Sequence, residues 1–411
     1  MTAPSDGSAG RERPGHGGGA GSGTGGSSFD TVVSDATGTS LAEPQTQAEL
    51  DSTVGVSMWA IVLAGGIGSR FWPLSTPERP KHVLPLVNDR PLIADTIARL
   101  SPLIPPERVL VLTSRDIAAA IHAAIPEVPG ANVLAEPRPL GTAASLAWGA
   151  SEVARRAGPK TVFCCLHADL AVGYPDALRF ELRRAAEIAS RERLLVALGA
   201  RPSRPDTAFG YIDPGAMLEY DATLARGGAA RAKAFVEKPD AERAAALIAG
   251  GALWNTGIYV WEAGQVLDLL EELVPEVAPG LAALRRNDPD AFGRKVQSAS
   301  IERGLLERTE RLVVLQTDCG WDDVGTWACL RRSRELDDSG NGAIGPAHFV
   351  DATSNVVHTE SGPVVLYGVH HLLVVALNGI TFVTTLDRAR DLRPLLDALP
   401  GSMRLKPTRQ P

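Results

Sequence analysis

Residues 59–81 constrain this chain most: an apolar run, Trp59 to Ala64, ends in Gly65, Gly66 and Gly68, and two cations, Arg70 and Lys81, follow. The run is short and rich in strand formers, so it predicts a buried strand that breaks into a turn. Glycines accept left-handed backbone angles and let a ligand approach the N–H groups closely, which makes a concave nest for an anion. Arg70 can fork onto a phosphate, and Lys81 offers a mobile point charge. The layout predicts a polyphosphate cradle on the end of a strand.

Two other glycine loops are excluded by spacing. A dinucleotide fingerprint needs a further glycine three residues after Gly68, where Phe71 stands, and Trp72 and Pro73 follow instead of a helix start. A P-loop needs Gly-Lys-Ser/Thr opening a helix, and none follows this turn. From Met58 onward, strand-like runs at 59–64, 108–113, 161–166 and 194–199 alternate with helical stretches at 92–100, 142–156, 177–190 and 240–248. That alternation predicts an α/β fold, a Rossmann-like, mainly parallel sheet covered on both faces. Ligands bind such sheets at the carboxyl ends of the strands, where the glycine loop and Asp169 would meet.

The chain carries 41 basic and 48 acidic residues, net −7, which argues against nucleic acid as a partner despite the phosphate cradle. Cys164, Cys165, Cys319 and Cys329 show no metal spacing and read as reduced, buried thiols. No apolar run reaches the roughly 18 residues of a membrane helix, and no signal-peptide pattern opens the chain. A cytoplasmic protein without a membrane partner is expected. Residues 1–57 are Gly/Ser-rich with almost no aromatic residue, so a disordered tail is expected, with Met58 as the expected physiological start. The catalytic domain is expected over 58–335. After a linker-like stretch, Asp337 to Gly342, a small β-rich domain is expected over 343–400, closed by an amphipathic helix near 391–399.

The motif Leu63-Ala64-Gly65-Gly66-x-Gly68-Ser-Arg70-x-Trp72-Pro73, with Pro80-Lys81, resembles the signature of the sugar-1-phosphate nucleotidylyltransferases, and its Trp-Pro-Leu-Ser form resembles the mannose-1-phosphate guanylyltransferases. The resemblance continues in order through Glu136-Pro137, Gly141-Thr142-Ala143, His167-Ala-Asp169, Pro202 to Ile212, Phe235 to Pro239, Leu253 to Gly257, Ser300 to Glu302 and Gly320 to Trp327. It implies transfer of GMP from GTP to mannose 1-phosphate, with Mg2+ on Asp169 and Asp323. It implies a nucleotide side made of Leu63, Ala64, Gly65, Gly66, Gly68, Arg70, Lys81, Glu136, Gly141 and Thr142, with Lys81 toward the leaving pyrophosphate. On the sugar side, Lys238 would pair with the sugar phosphate, Glu237 and Asn255 would bond hydroxyls, and Gly210 would let the sugar pack on backbone. Arg70, Lys81, Asp169 and Lys238 would carry the chemistry.

The resemblance also implies a C-terminal β-helix-like module used in packing or subunit contact, which allows a homo-oligomer. Bifunctional relatives carry an isomerase domain beyond it, and isomerase activity is not expected here. The pattern departs from the family at His167 and Leu170, where it has Pro and His, at Ala208 and Phe209, and in the missing Arg and Asn before Thr142. Another base or hexose, or a non-catalytic regulator that binds sugar nucleotide, therefore remain as alternatives. Arg79 reads equally as a phosphate contact or a surface residue, and Trp321 and Trp327 read as packing around the metal loop.

Overall fold

The computed structural model describes residues 57–404, apart from 67, 77, 219–227 and 334. The tail expected over residues 1–57 lies, Ser57 excepted, outside these residues.

Strand β1 (Met58–Ala64) shows why the sheet must be covered twice. Its side chains alternate between faces, so Ile61 and Leu63 enter one core while Ala60, Val62 and Ala64 enter the other. The first core lies under the helix Thr142–Ala157, the second under Leu92–Ala98 and Pro175–Glu192. Gly149 lets the first of these helices come close: a Cβ there would stand 2.8 Å from Ile61 and 3.1 Å from Leu112.

The remaining strands of the main body are β2 (Val109–Ser114), β3 (Val133–Glu136), β4 (Val162–His167), β5 (Leu170–Val172), β6 (Leu195–Ala200), β7 (Gly210–Met217), β8 (Ala229–Glu237), β9 (Leu253–Glu262), β10 (Leu312–Thr317) and β11 (Trp321–Asp323). Among the described residues the large sheet runs β3-β2-β1-β4-β9-β6-β10-β8-β7. The β3-β2-β1-β4 block and the β6–β10 pair are parallel, whereas β9 enters antiparallel between β4 and β6. Its Trp261 is fully buried, stacks on Tyr259 at 4.9 Å and donates to the Val196 carbonyl at 3.1 Å. Truncating such a side chain costs about 3–5 kcal/mol. The hairpin β7–β8 then closes the sheet, with Tyr211 also pairing Trp254 of β9.

The stretch expected as a linker is a tight turn instead. The Asp337 carboxylate accepts from the N–H groups of Ser339 and Asn341. Strand β12 (Gly342–Ile344) begins at once, followed by β13 (Ala347–Val350), β14 (Val356–Thr359), β15 (Val364–Tyr367), β16 (Leu372–Leu377) and β17 (Ile380–Thr385). β12, β14 and β16 stack in parallel, as do β13 and β15, and β17 closes antiparallel. Buried Asn355 bridges two coils of this stack by donating to Asn341 Oδ1 and the Val369 carbonyl. The stack packs on the glycine-loop region through a third core, in which Phe71, Trp72 and Leu84 meet Trp327, Val356 and Leu373. The Trp327 indole N–H closes it by donating to the Trp72 carbonyl at 3.1 Å.

Candidate active site

β1 ends at Ala64 and the chain turns through Gly66 (φ 84°) and Gly68 (φ 82°), angles at which an L side chain is strained. Gly68 is required for a second reason: a Cβ there would lie 2.6 Å from the Lys81 stem. Lys81 is thereby held against the loop, and its ammonium pairs with the Asp169 carboxylate. Asp169 follows β4, anchored by the Ala168 N–H on the Leu63 carbonyl at 2.9 Å.

Asp323 arrives by a separate route. The ribbon β5–β11 sets Asp323 opposite Leu170, and the Val324 N–H bonds the Asp169 carbonyl at 3.2 Å. The two carboxylates respond in opposite ways. Burial by itself would raise Asp169, but Lys81 holds it below the usual carboxylate range. Burial and the neighbouring Asp169 charge push Asp323 up, against the pull of Lys81 and Arg70. Arg70 stands beside this second carboxylate, on the wall of the larger cavity described next.

Two cavities open here. The first, about 900 Å³, is lined by Gly210, Glu237, Lys238, Asn255, Arg70 and Asp323, among others. The second, about 620 Å³, is lined by Leu63, Gly65, Gly66, Lys81, Glu136 and Gly141, among others. Thr142, His167 and Asp169 line both. Of the expected nucleotide-side residues, Ala64 and Gly68 lie behind the second wall. Ala64 is fully buried, with its carbonyl accepting from Thr113, and Gly68 backs Lys81.

In the first cavity, Gly210 pairs across the hairpin with Glu237, and a Cβ on it would stand 2.7 Å from Glu237 Oε2. Glycine therefore leaves the room that the carboxylate occupies. Lys238 has φ 51°, a rare angle for a non-glycine residue, and its ammonium donates to Glu237 Oε1 at 2.6 Å. Burial raises the Glu237 carboxyl, with the Lys238 bond opposing. Asn255 is fixed at both ends: its Nδ2 donates to the Tyr259 hydroxyl at 2.9 Å, and its Oδ1 accepts from the Gly257 N–H at 3.2 Å. The Tyr259 hydroxyl donates onward to Glu302 at 3.3 Å. Glu302 opens a single π turn, Glu302–Leu306, a distortion found often at functional sites.

In the second cavity, Glu136 accepts from the Ser145 hydroxyl, and burial raises its carboxyl above the ordinary range against that bond. Gly141 (φ 83°) allows a close seam, because a Cβ there would lie 2.5 Å from the Ala299 carbonyl oxygen and 2.8 Å from Ser298 Oγ. Thr142 holds the same seam by accepting from the Ile301 N–H at 2.9 Å.

Several residues lie outside the sequence-based site list. Ser114, Arg115 and Asp116 line the second cavity, and Ser298 and Arg303 the first. Only the position of 114–116 after a strand end could have signalled the former. His82 also lines the second cavity; it is buried, burial lowers it to about 4, and its Nδ1 has no hydrogen-bond partner among the described residues. Arg79, open between two readings, makes a bidentate pair with Glu360 at 2.7 and 2.8 Å, so it ties the loop to the C-terminal stack. Trp327 is core, while Trp321 packs with Phe209 and Trp254 on the wall of the first cavity. Three of the cysteines are buried free thiols, whereas Cys329 is half-buried, unlike the buried thiol expected.

The donor set fits Mg2+, which keeps waters and phosphate oxygens and asks a protein for one or two carboxylates. Asp169 and Asp323 would supply those carboxylates; burial first, and then the Asp169 charge, raise Asp323, and a divalent cation would relieve the second of these.

A strand-end glycine loop with its lysine, facing a second polar cavity across a shared aspartate, defines a phosphate-handling transferase, and the chain belongs to the nucleotidyl transferase family, whose model matches residues 59–339. Within it the similarity is to mannose-1-phosphate guanylyltransferases: 30% identity to that of Sinorhizobium fredii over 82% of this chain and 67% of the relative, and 30% to that of Escherichia coli over 83% and 73%. A Thermus thermophilus crystal structure of mannose-1-phosphate geranyltransferase superposes with a TM-score of 0.76 at 33% identity, covering 83% of this chain and 98% of the other. The protein is thus an enzyme of the sugar-1-phosphate nucleotidylyltransferase kind, with a nucleoside triphosphate and a sugar 1-phosphate as substrates. Among the described residues no helix is long and apolar enough to cross a membrane.

Proposed function

We propose that the protein transfers GMP from GTP to α-D-mannose 1-phosphate, releasing pyrophosphate and forming GDP-mannose, in the cytoplasm and with Mg2+. The observation that carries this reading is the pair of cavities meeting at Asp169, one built on the glycine loop and Lys81, the other on Glu237, Lys238 and Asn255. In the reaction a sugar-phosphate oxygen attacks the α-phosphorus, and the bond to the β-phosphate oxygen breaks, its electron pair leaving with pyrophosphate. Such a displacement needs alignment and charge stabilisation more than a protein nucleophile.

Each residue has a place in that task. The loop at Gly65 and Gly66 and the ammonium of Lys81 hold the triphosphate, with Lys81 on the side where pyrophosphate departs. Lys238 binds the sugar phosphate, Glu237 and Asn255 take sugar hydroxyls, and Gly210 gives the ring a flat floor. Arg70, beside Asp323, offsets negative charge near the attacking group. Asp169 and Asp323 would hold Mg2+, which when bound neutralises phosphate charge and draws the two substrates together. The fixed amide of Asn255 gives hydroxyl recognition a defined donor and acceptor, which supports discrimination between hexoses.

The test pairs each of the four common nucleoside triphosphates with mannose, glucose and fucose 1-phosphates and follows pyrophosphate release. GTP with mannose 1-phosphate is expected to exceed every other pair by at least about tenfold in kcat/KM. A different preferred base or sugar would overturn the reading.

A further inference from the structure

The sugar phosphate and the triphosphate must react where their two cavities join, and three side chains line both: Thr142, His167 and Asp169. Asp169 carries a negative charge paired with Lys81, so it cannot itself favour a phosphoryl oxygen. The Thr142 oxygen accepts the Ile301 N–H in the seam, which leaves only its rotatable O–H to donate. His167 differs from both. It is the last residue of β4, its Cα stands in register with Leu63 of β1, and its half-buried ring makes no hydrogen bond among the described residues.

On the β9 side, a Cβ at Gly257 would lie 3.1 Å from His167 Cδ2 and 3.6 Å from Nε2, so the missing side chain there leaves the imidazole room beside β9. That glycine has φ 71°, two residues after Asn255. The imidazole thus spans from the strand that carries the glycine loop to the strand that carries the sugar-side asparagine. Neutral or protonated, it presents at least one N–H.

We propose that His167 is a further catalytic residue, donating an N–H hydrogen bond to a non-bridging oxygen of the α-phosphate as the sugar-phosphate oxygen attacks and pyrophosphate leaves. The inference rests on the assignment of the two cavities to nucleotide and sugar phosphate. No proton is transferred: the ring keeps its N–H, the new P–O bond takes its electron pair from the sugar phosphate, and the old pair departs with pyrophosphate. The position carries proline in the pattern this chain resembles, a side chain with no donor, so the contact is a feature of this sequence. An N–H donor at the place where charge develops is worth about a hundredfold in rate.

The wild type is first run with the substrate panel above, so that failure of the GTP or mannose assignment shows there, before any variant is made. With the best pair, His167→Ala is expected to lower kcat about a hundredfold while both KM values stay within about threefold, and His167→Gln, which keeps an N–H, to recover at least tenfold of that loss. Binding gives a second readout that needs no turnover: in 31P NMR of bound nucleoside triphosphate, the α resonance should differ between wild type and His167→Ala while the β and γ resonances coincide. Thermal unfolding confirms that the variants are folded. A kcat for His167→Ala within threefold of wild type, no recovery in His167→Gln, or identical α resonances would each overturn the proposal.

Discussion

The two sides of the active site are built differently. The second cavity, proposed for the nucleotide, comes from loops at the ends of adjacent parallel strands, β1 to β3, so its residues lie close to the strands that aim them. The first cavity, proposed for the sugar phosphate, is assembled from the hairpin β7–β8, the antiparallel strand β9 and the π turn at Glu302. Around the second cavity, backbone and glycines do most of the holding, as an anion nest requires. Around the first, side-chain bonds such as Asn255 to Tyr259 to Glu302 fix orientation, as a hydroxyl-bearing ring requires. A polyanion is recognised by charge and N–H density, whereas a sugar is recognised by the direction of single hydrogen bonds.

Substitutions can break this comparison, beginning where the sides meet. Asp169→Asn should lower turnover by more than about a thousandfold with either substrate saturating, because both cavities share that carboxylate. Pyrophosphate release measures it, and a near-native rate would remove Asp169 from the site. Lys238→Ala should act on one side only: a KM for sugar 1-phosphate raised about 10- to 100-fold, from losing a charge-assisted bond of about 1.5–3 kcal/mol, with the KM for nucleotide unchanged. An equal rise in both constants would show that the sides are not separable.

Gly141→Ala probes the backbone-held side. The added Cβ meets the Ala299 carbonyl oxygen at 2.5 Å at a positive φ, so the variant should lose about 1–3 kcal/mol in urea unfolding and bind nucleotide more weakly. Unchanged stability would mean that the seam yields. The smallest effect concerns the tie between the nucleotide loop and the C-terminal stack. The Arg79 bidentate bond, then the His358 contact, depress the Glu360 carboxyl from 4.5 to about 2. Its contribution is therefore complete above about pH 4.5 and is lost as pH falls toward about 2. With both partners 34% exposed, it amounts to about 0.2–1 kcal/mol after screening. Chemical unfolding of wild type and Glu360→Gln should differ by that amount at pH 6 and converge near pH 2, and a constant gap would refute the linkage.

The same contrast explains what could be read in advance. The glycine loop and Asp169 follow apolar runs directly, so local pattern placed them at strand ends. Helices with local signals were legible too: Asp240 does cap Ala241–Ala249, accepting from the Arg243 N–H at 2.8 Å. Strand β7 gave no such signal, since Pro214 and Gly215 interrupt it and register shifts accompany them. β9 was invisible as a central strand because its antiparallel place between β4 and β6 is a matter of sheet order, not composition. Arg79 shows the same limit, its partner Glu360 standing just after β14, 281 residues along the chain.

By itself the sequence determined the chemistry on offer: a strand that must be buried on both faces, glycines where the backbone turns left-handed, two cations beside them, and an ordered series of motifs that marks the family. Those are short-range properties, set by side-chain alternation and by the steric freedom of glycine. Tertiary structure decided that Asp323 reaches Asp169 through the β5–β11 ribbon, that Gly210 and Glu237 share one corner, and that His167 stands between the two cavities. The reason is physical: strand pairing and core packing are contacts between distant segments, and no segment carries the position of its partner.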